Sequence, residues 1–84
     1  MEKSILLILV GNRTESALKV QEVLTNMGCF IKTRLGLHEA TENACSDTGL
    51  LILELIGSEE DKKKLVRDLE GVPDVRVNLV NMSL

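Results

Sequence analysis

Two apolar runs of nearly the same wording, ILLILVG at residues 5–11 and LILELIG at residues 51–57, each stand directly before a helix-start signal. Short runs of Ile and Leu read as strands buried on both faces. After the first comes Gly11-Asn12-Arg13-Thr14, with Thr14 as a natural N-cap and Glu15 in the first helical turn. After the second comes Gly57-Ser58, with Ser58 as the cap and Glu59, Glu60 and Asp61 at the positive end of the helix. The chain therefore repeats one plan: strand, helix, strand.

Each half can be followed to its end. Ala17, Val20, Leu24 and Met27 recur at helical spacing, and Gly28 is placed to stop that helix in a left-handed conformation. From Cys29 to Leu37 the residues alternate. Cys29, Ile31, Thr33 and Leu35 form the face expected against the core, and Phe30, Lys32 and Arg34 the other. Cys29 reads as a small buried side chain. His38 to Thr48 is polar, holds no large apolar residue and is expected to be mobile in an isolated subunit, ordered only by a partner. A second long strand follows from Gly49 to Ile56. In the second helix Leu65, Val66 and Leu69 face inward, and Lys62, Lys63 and Lys64 form a solvated middle. Gly71-Val72-Pro73-Asp74 ends it, and Val75, Val77 and Leu79 alternate in a last strand. Two such halves interleave as a ferredoxin-like βαββαβ sandwich: a single α+β domain over residues 1–84, with a four-stranded antiparallel sheet and both helices on one face.

That fold leaves one sheet face bare. Residues 5–10 are apolar at both parities, and Leu50, Ile52 and Ile56 accompany Glu54 on the face the helices would not cover. A stripe of that size favours self-association as a dimer or tetramer. The expected interface residues are Leu7, Ile8, Phe30, Ile52 and Glu54. Glu54, an acid in an aliphatic strand, needs a cation, and Lys32 or Arg34 should supply it.

Composition narrows the partners. The apolar fraction is 44%, yet Phe30 is the lone aromatic residue, so the core must be aliphatic. A net charge of −3 argues against autonomous nucleic-acid binding. Ile5 to Val10 is too short to span a bilayer and lacks a cleavage pattern after it, so no membrane partner is expected. Two cysteines without a secretion signal read as reduced thiols in the cytoplasm.

Catalytic signals are missing. No nucleophile–base pair, glycine-rich phosphate loop or HExxH stands in the sequence, so neither enzyme activity nor a cofactor is expected. His38 and Cys45, seven positions apart, could ligate a metal, but one of each per chain cannot complete a four-coordinate site, so none is expected. Gly11, Asn12 and Arg13, between the first strand and the first helix, could hold a carboxylate or phosphate through backbone N–H groups and the guanidinium.

"VGNR" after the first strand, "RLGLHEATENACSDTGLLILEL" in the middle and "L-x-G-V-x-D-V-R-V" near the end together resemble the iron-only hydrogenase system regulators, a family of small ACT-like proteins. The resemblance spans nearly the whole chain. It implies an ACT-like ferredoxin fold, a homo-oligomer, a regulatory role beside hydrogenase maturation, and Arg34, Gly36 and His38 as further ligand-binding candidates. The fold is similar also to the C-terminal domain of the nickel-responsive repressor, whose metal site uses a His-x-His pair and a Cys. Here His38 has no second histidine, and no DNA-binding segment is present. The expected function is a small homo-oligomeric ligand-sensing regulatory module taking a small anionic effector or a regulatory protein. The alternatives are an assembly subunit without a small ligand and, below it, a metal sensor.

Overall fold

The computed structural model describes residues 1–11, 14–40 and 45–84, with the backbone alone at 14, 37–40 and 45–48. Along the chain run β1 (Glu2–Val10), α1 (Thr14–Asn26), a short 3-10 turn (Gly28–Phe30), β2 (Ile31–Ala40), β3 (Cys45–Leu55), α2 (Glu59–Glu70) and β4 (Val75–Ser83). The strands lie in the order β2-β3-β1-β4, every neighbouring pair antiparallel. This is the ferredoxin-like βαββαβ sheet, with β1 and β3 central as the two apolar runs required.

Register decides which side of each run is covered. Leu6 and Ile8 on β1 and Leu53 on β3 are 0% exposed, and they form one cluster with Val20 and Leu24 of α1 and Leu65 and Leu69 of α2. Both helices therefore pack on the same face. Leu7 pairs with Ile52 on the other face. Ile8, expected with Leu7 at an interface, belongs instead to the core.

The face of β2 also differs from simple alternation. Ile31 pairs with Leu55 and Thr33 with Glu54, so Lys32 is an extra residue in the ladder. Such a bulge reverses the parity of everything after it. Leu35 now stands opposite Ile52 on the open face and is 52% exposed, while Arg34 and Gly36 stand opposite Leu53 and Leu51 on the helix side. Cys29, expected to be buried, is exposed in the 3-10 turn. Phe30 is half-buried against the core cluster, and its carbonyl accepts from the Ile56 N–H at 2.8 Å. Gly28 adopts no left-handed conformation; it opens the 3-10 turn.

At the start of α2 the expected cap is present. The Ser58 hydroxyl accepts from the Asp61 N–H at 3.1 Å, and the Asp61 carboxylate accepts from the Ser58 N–H, a reciprocal cap. The approach to that cap needs glycine: Gly57 has φ 108°, and a Cβ there would sit 2.9 Å from Phe30 Cδ1. Lys62 departs from expectation. It is 7% exposed and lies in the row with Leu65 and Leu69. The polar segment after β2 is shorter than it reads, because β2 runs to Ala40 and β3 begins at Cys45, with Ala40 opposite Cys45. The expected mobility of residues 38–48 and their contacts with a neighbour concern residues 41–44 and flanking side chains, which lie outside the described residues.

Candidate functional site

Among the described residues, the anion-site candidates lie from the middle of β2, at Arg34, towards the end of the sheet where Gly11 follows β1, and they are not equally available. Gly11 ends β1, and its N–H already donates to the Asp74 carbonyl at 2.9 Å. The Asp74 carboxylate lies so close to the Gly11 Cα that a Cβ would overlap it, so residue 11 must be glycine for packing. With its donor committed and a carboxylate against it, Gly11 is a poor anion ligand, and its place among the binding residues is corrected. Asp74 itself sits at φ 62°, where an Asp side chain is tolerated better than most. Asn12 and Arg13 lie outside the described residues.

Arg34 offers more. The Lys32 bulge turns it to the helix side, where its Nη2 donates to Gln21 Oε1 on α1 at 2.7 Å. A neutral amide orients the guanidinium without cancelling its charge. Two residues on, Gly36 is closely covered by the Leu51 side chain, whose Cδ2 would stand 3.3 Å from a Cβ there. Leu18 lies one turn before Gln21 on α1 and is 65% exposed. α1 runs away from the Gly11 end and β2 runs towards it, so Leu18 falls on the Gly36 side of the Arg34–Gln21 pair. The pair thus sets an oriented cation between α1 and β2, with the exposed Leu18 one turn away along the helix. By backbone register His38 lies opposite Gly49, farther along the same strand. The side chains of His38 and Cys45, the metal candidates, lie outside the described residues, and no other cluster of three metal-ligating residues occurs among those described.

The open face of the sheet is the other feature without a structural explanation in the monomer. Ile5, Leu7, Leu50 and Ile52 are only half-buried, and Leu9 and Leu35 are 47% and 52% exposed. A shallow apolar depression of about 230 Å³, lined by Met1, Lys3, Met82 and Leu84, continues it to the chain ends. Its one acid among the described residues, Glu54, is held by Lys3 at 3.1 Å and Lys32 at 3.8 Å. Lys32 is the expected partner; Arg34 is not, because the bulge sends it to the other face. Lys3 was not expected there, although Ile5 stands directly opposite Glu54 and Lys3 lies two residues away on the same face.

A third group invites a catalytic reading and does not sustain it. The Lys62 ammonium donates to Ser4 Oγ at 2.9 Å, and Ser4 Oγ donates to Asn81 Oδ1 at 2.6 Å. Glu59 and Glu2 lie 3.5 and 3.9 Å from the same ammonium. A serine beside a lysine can form a nucleophile–base pair, but this hydroxyl is 1% exposed and its proton points to Asn81. The network ties β1, β4 and α2 together.

The sequence matches no family model and no curated protein. Solved structures do match, and they define the chain's class as a ferredoxin-like domain. It is similar to the uncharacterised protein TM1266 from Thermotoga maritima, at 24% identity over 99% of this chain and 100% of that one, with a TM-score of 0.84. The C-terminal domain of MgtC from Mycobacterium tuberculosis aligns at 12% identity over 98% of this chain and 88% of that one, with a TM-score of 0.68. A nitrogen regulatory PII-like protein from Thiomonas intermedia K12, CPII, bound to ADP, AMP and bicarbonate, aligns at 14% identity over 100% of this chain and 96% of that one, with a TM-score of 0.56. No helix among the described residues is long and apolar enough to cross a membrane.

Proposed function

We propose that the chain is a small homo-oligomeric regulatory module of the cytoplasm that senses an anionic effector at Arg34, between α1 and β2. The observation that carries the reading is Arg34, oriented by Gln21 across α1 and β2. A carboxylate or phosphate can take a guanidinium in a two-pronged geometry that a lysine cannot match. The PII-like structure with ADP, AMP and bicarbonate supports the reading, since each of those ligands is an anion held on a similar fold. Titration calorimetry with ADP, AMP and bicarbonate tests it. Binding of at least one is expected, weakened about tenfold or more by Arg34→Gln; no heat with any of the three would remove the effector reading.

The motifs shared with the iron-only hydrogenase system regulators direct the search for a regulated partner to that system. A second reading, an assembly subunit that takes no small ligand, is favoured by the apolar open face. It predicts that Leu7→Lys abolishes partner capture while Arg34→Gln leaves it unchanged.

A further inference from the structure

The open face of the sheet carries charge as well as aliphatic side chains, and the charge is one-sided. Lys3 lies on it two residues before Ile5 on β1, and Arg76 of β4 lies on it opposite Leu9. Lys32 reaches the same face through Glu54, which it shares with Lys3. Among the described residues the face therefore holds three cations and one carboxylate, in a chain whose net charge is −3. The apolar face is locally positive, and the rest of the chain is acidic.

The cations stand at opposite ends. Lys3 and Lys32 flank Glu54 where β1 begins, and Arg76 lies beside Leu9 where β1 stops. Lys3 and Leu9 are separated by roughly 20 Å of strand. Between them Ile5, Leu7, Leu50 and Ile52 are only partly covered. One carboxylate shared by two ammoniums leaves a cation in excess at the first end. At the other, the Arg76 Nη1 donates to the Val75 carbonyl at 3.1 Å, a neutral partner that leaves the guanidinium charge uncancelled.

A sheet face of Ile and Leu is covered by helices or by another sheet, and here charge decides between the possible covers. A second copy brings the same excess of cations, so stacking two copies sets like charges into one interface. An anionic membrane meets the net negative charge of the whole chain. A helix with an apolar stripe and a carboxylate at each end of it meets neither objection. We propose that the open face docks an acidic amphipathic helix of a partner protein. Its apolar stripe lies on Leu7 and Ile52, and its carboxylates, about 13 residues apart, meet Arg76 at one end and the Lys3–Lys32 pair at the other. The inference rests on the second reading above, in which this face takes a protein partner, and it names that partner's chemistry. Self-association through the same face is then a state of the free chain, ended when the helix binds.

Two synthetic helical peptides of about 18 residues test the proposal. Both carry the same leucine stripe and a single tryptophan, a signal that stands alone because the chain has none. One has glutamates at the two ends of the stripe, the other lysines. Tryptophan anisotropy reads the affinity, amide shifts of ¹⁵N-labelled chain read the place, and light scattering reads the mass. At low salt the glutamate peptide is expected to bind at least about tenfold tighter than the lysine peptide. It should shift the amides of Leu7 and Ile52 rather than those of α1 and α2, and leave a one-to-one complex. Arg76→Glu combined with Lys32→Glu should reverse the preference without unfolding the chain, since both side chains are exposed. The comparison of the two peptides on the unsubstituted chain remains decisive whether or not that variant folds. Equal affinities on this face overturn the acidic partner and spare the docking reading. Binding to phosphatidylserine vesicles in place of the glutamate peptide overturns it in favour of a membrane surface. No binding of either peptide on this face overturns both the inference and the reading beneath it.

Discussion

The two faces of the sheet are built from the same side chains and meet different fates. On the helix side Leu6, Ile8, Leu53 and Leu55 are at most 4% exposed; on the other, Ile5, Leu7, Leu50 and Ile52 are partly covered and Leu9 and Leu35 are 47% and 52% exposed. Residue type does not separate the two sets. Strand register does, since neighbours in a strand face opposite ways. Hydrophobicity thus marks which side chains favour cover, and register marks which already have it. An aliphatic side chain gains roughly 1.5–3 kcal/mol when fully buried, so the open face holds a driving force that the monomer leaves unused.

Adjacent residues on β1 give the sharpest way to break this comparison. Ile8→Lys places an unpaired ammonium in the core and should unfold the chain, seen as loss of the circular dichroism transition. Leu7→Lys points the same charge at the open face. It should leave the melting temperature within a few degrees and reduce the mass by light scattering. If both variants unfold alike, the faces are not separate in the way described.

Each face also holds an ionised group largely covered by its apolar residues, Lys62 and Glu54, and these two sharpen the comparison with smaller effects. Lys62 on the helix side has a side chain 9% exposed. Removing a buried charge in favour of an apolar chain of similar length is often neutral, and Ser4 keeps Asn81 as a partner. Lys62→Met should change unfolding stability by less than about 1 kcal/mol in either direction, measured by urea titration. Glu54→Gln on the open face should have the least effect on the fold, a few tenths of a kcal/mol, because Lys3 and Lys32 are about half exposed and water screens them. Its larger consequence is expected in the oligomer, where the same carboxylate would lose that water.

Much of the architecture is legible in the sequence because it follows from periodicity and punctuation. The two apolar runs, the Ser58 cap and the alternation of β4 each depend on a few neighbouring residues. The face of β2 is not legible, because a single extra residue at Lys32 reverses the strand and no glycine or proline announces it. That one bulge moves Arg34 from the expected partner of Glu54 to the partner of Gln21, and so changes the candidate site. The burial of Lys62 does have a signal, since residues 62, 65 and 69 share one side of a helix, but the neighbouring lysines suggest a solvated triplet. Availability of a donor is a different matter. Nothing in Gly11-Asn12-Arg13 shows that the Gly11 N–H is taken by Asp74, more than sixty residues away.

The strand order has a consequence for the birth of the molecule. β1 leaves the ribosome before either of its neighbours in the sheet is made: Val10 waits for Gly49, and Ser4 waits for Asn81. Until then Ile5 to Val10 is a short aliphatic strand of high β-propensity and no charge, the kind of segment that pairs with its like on a neighbouring nascent chain. Lys3 just before it and Arg13 just after it are the charges available to discourage that encounter. Closing the sheet is a late and long-range event, slow by the measure of contact order, and the interval before it is when a chain of this design depends most on helpers that shield apolar strands.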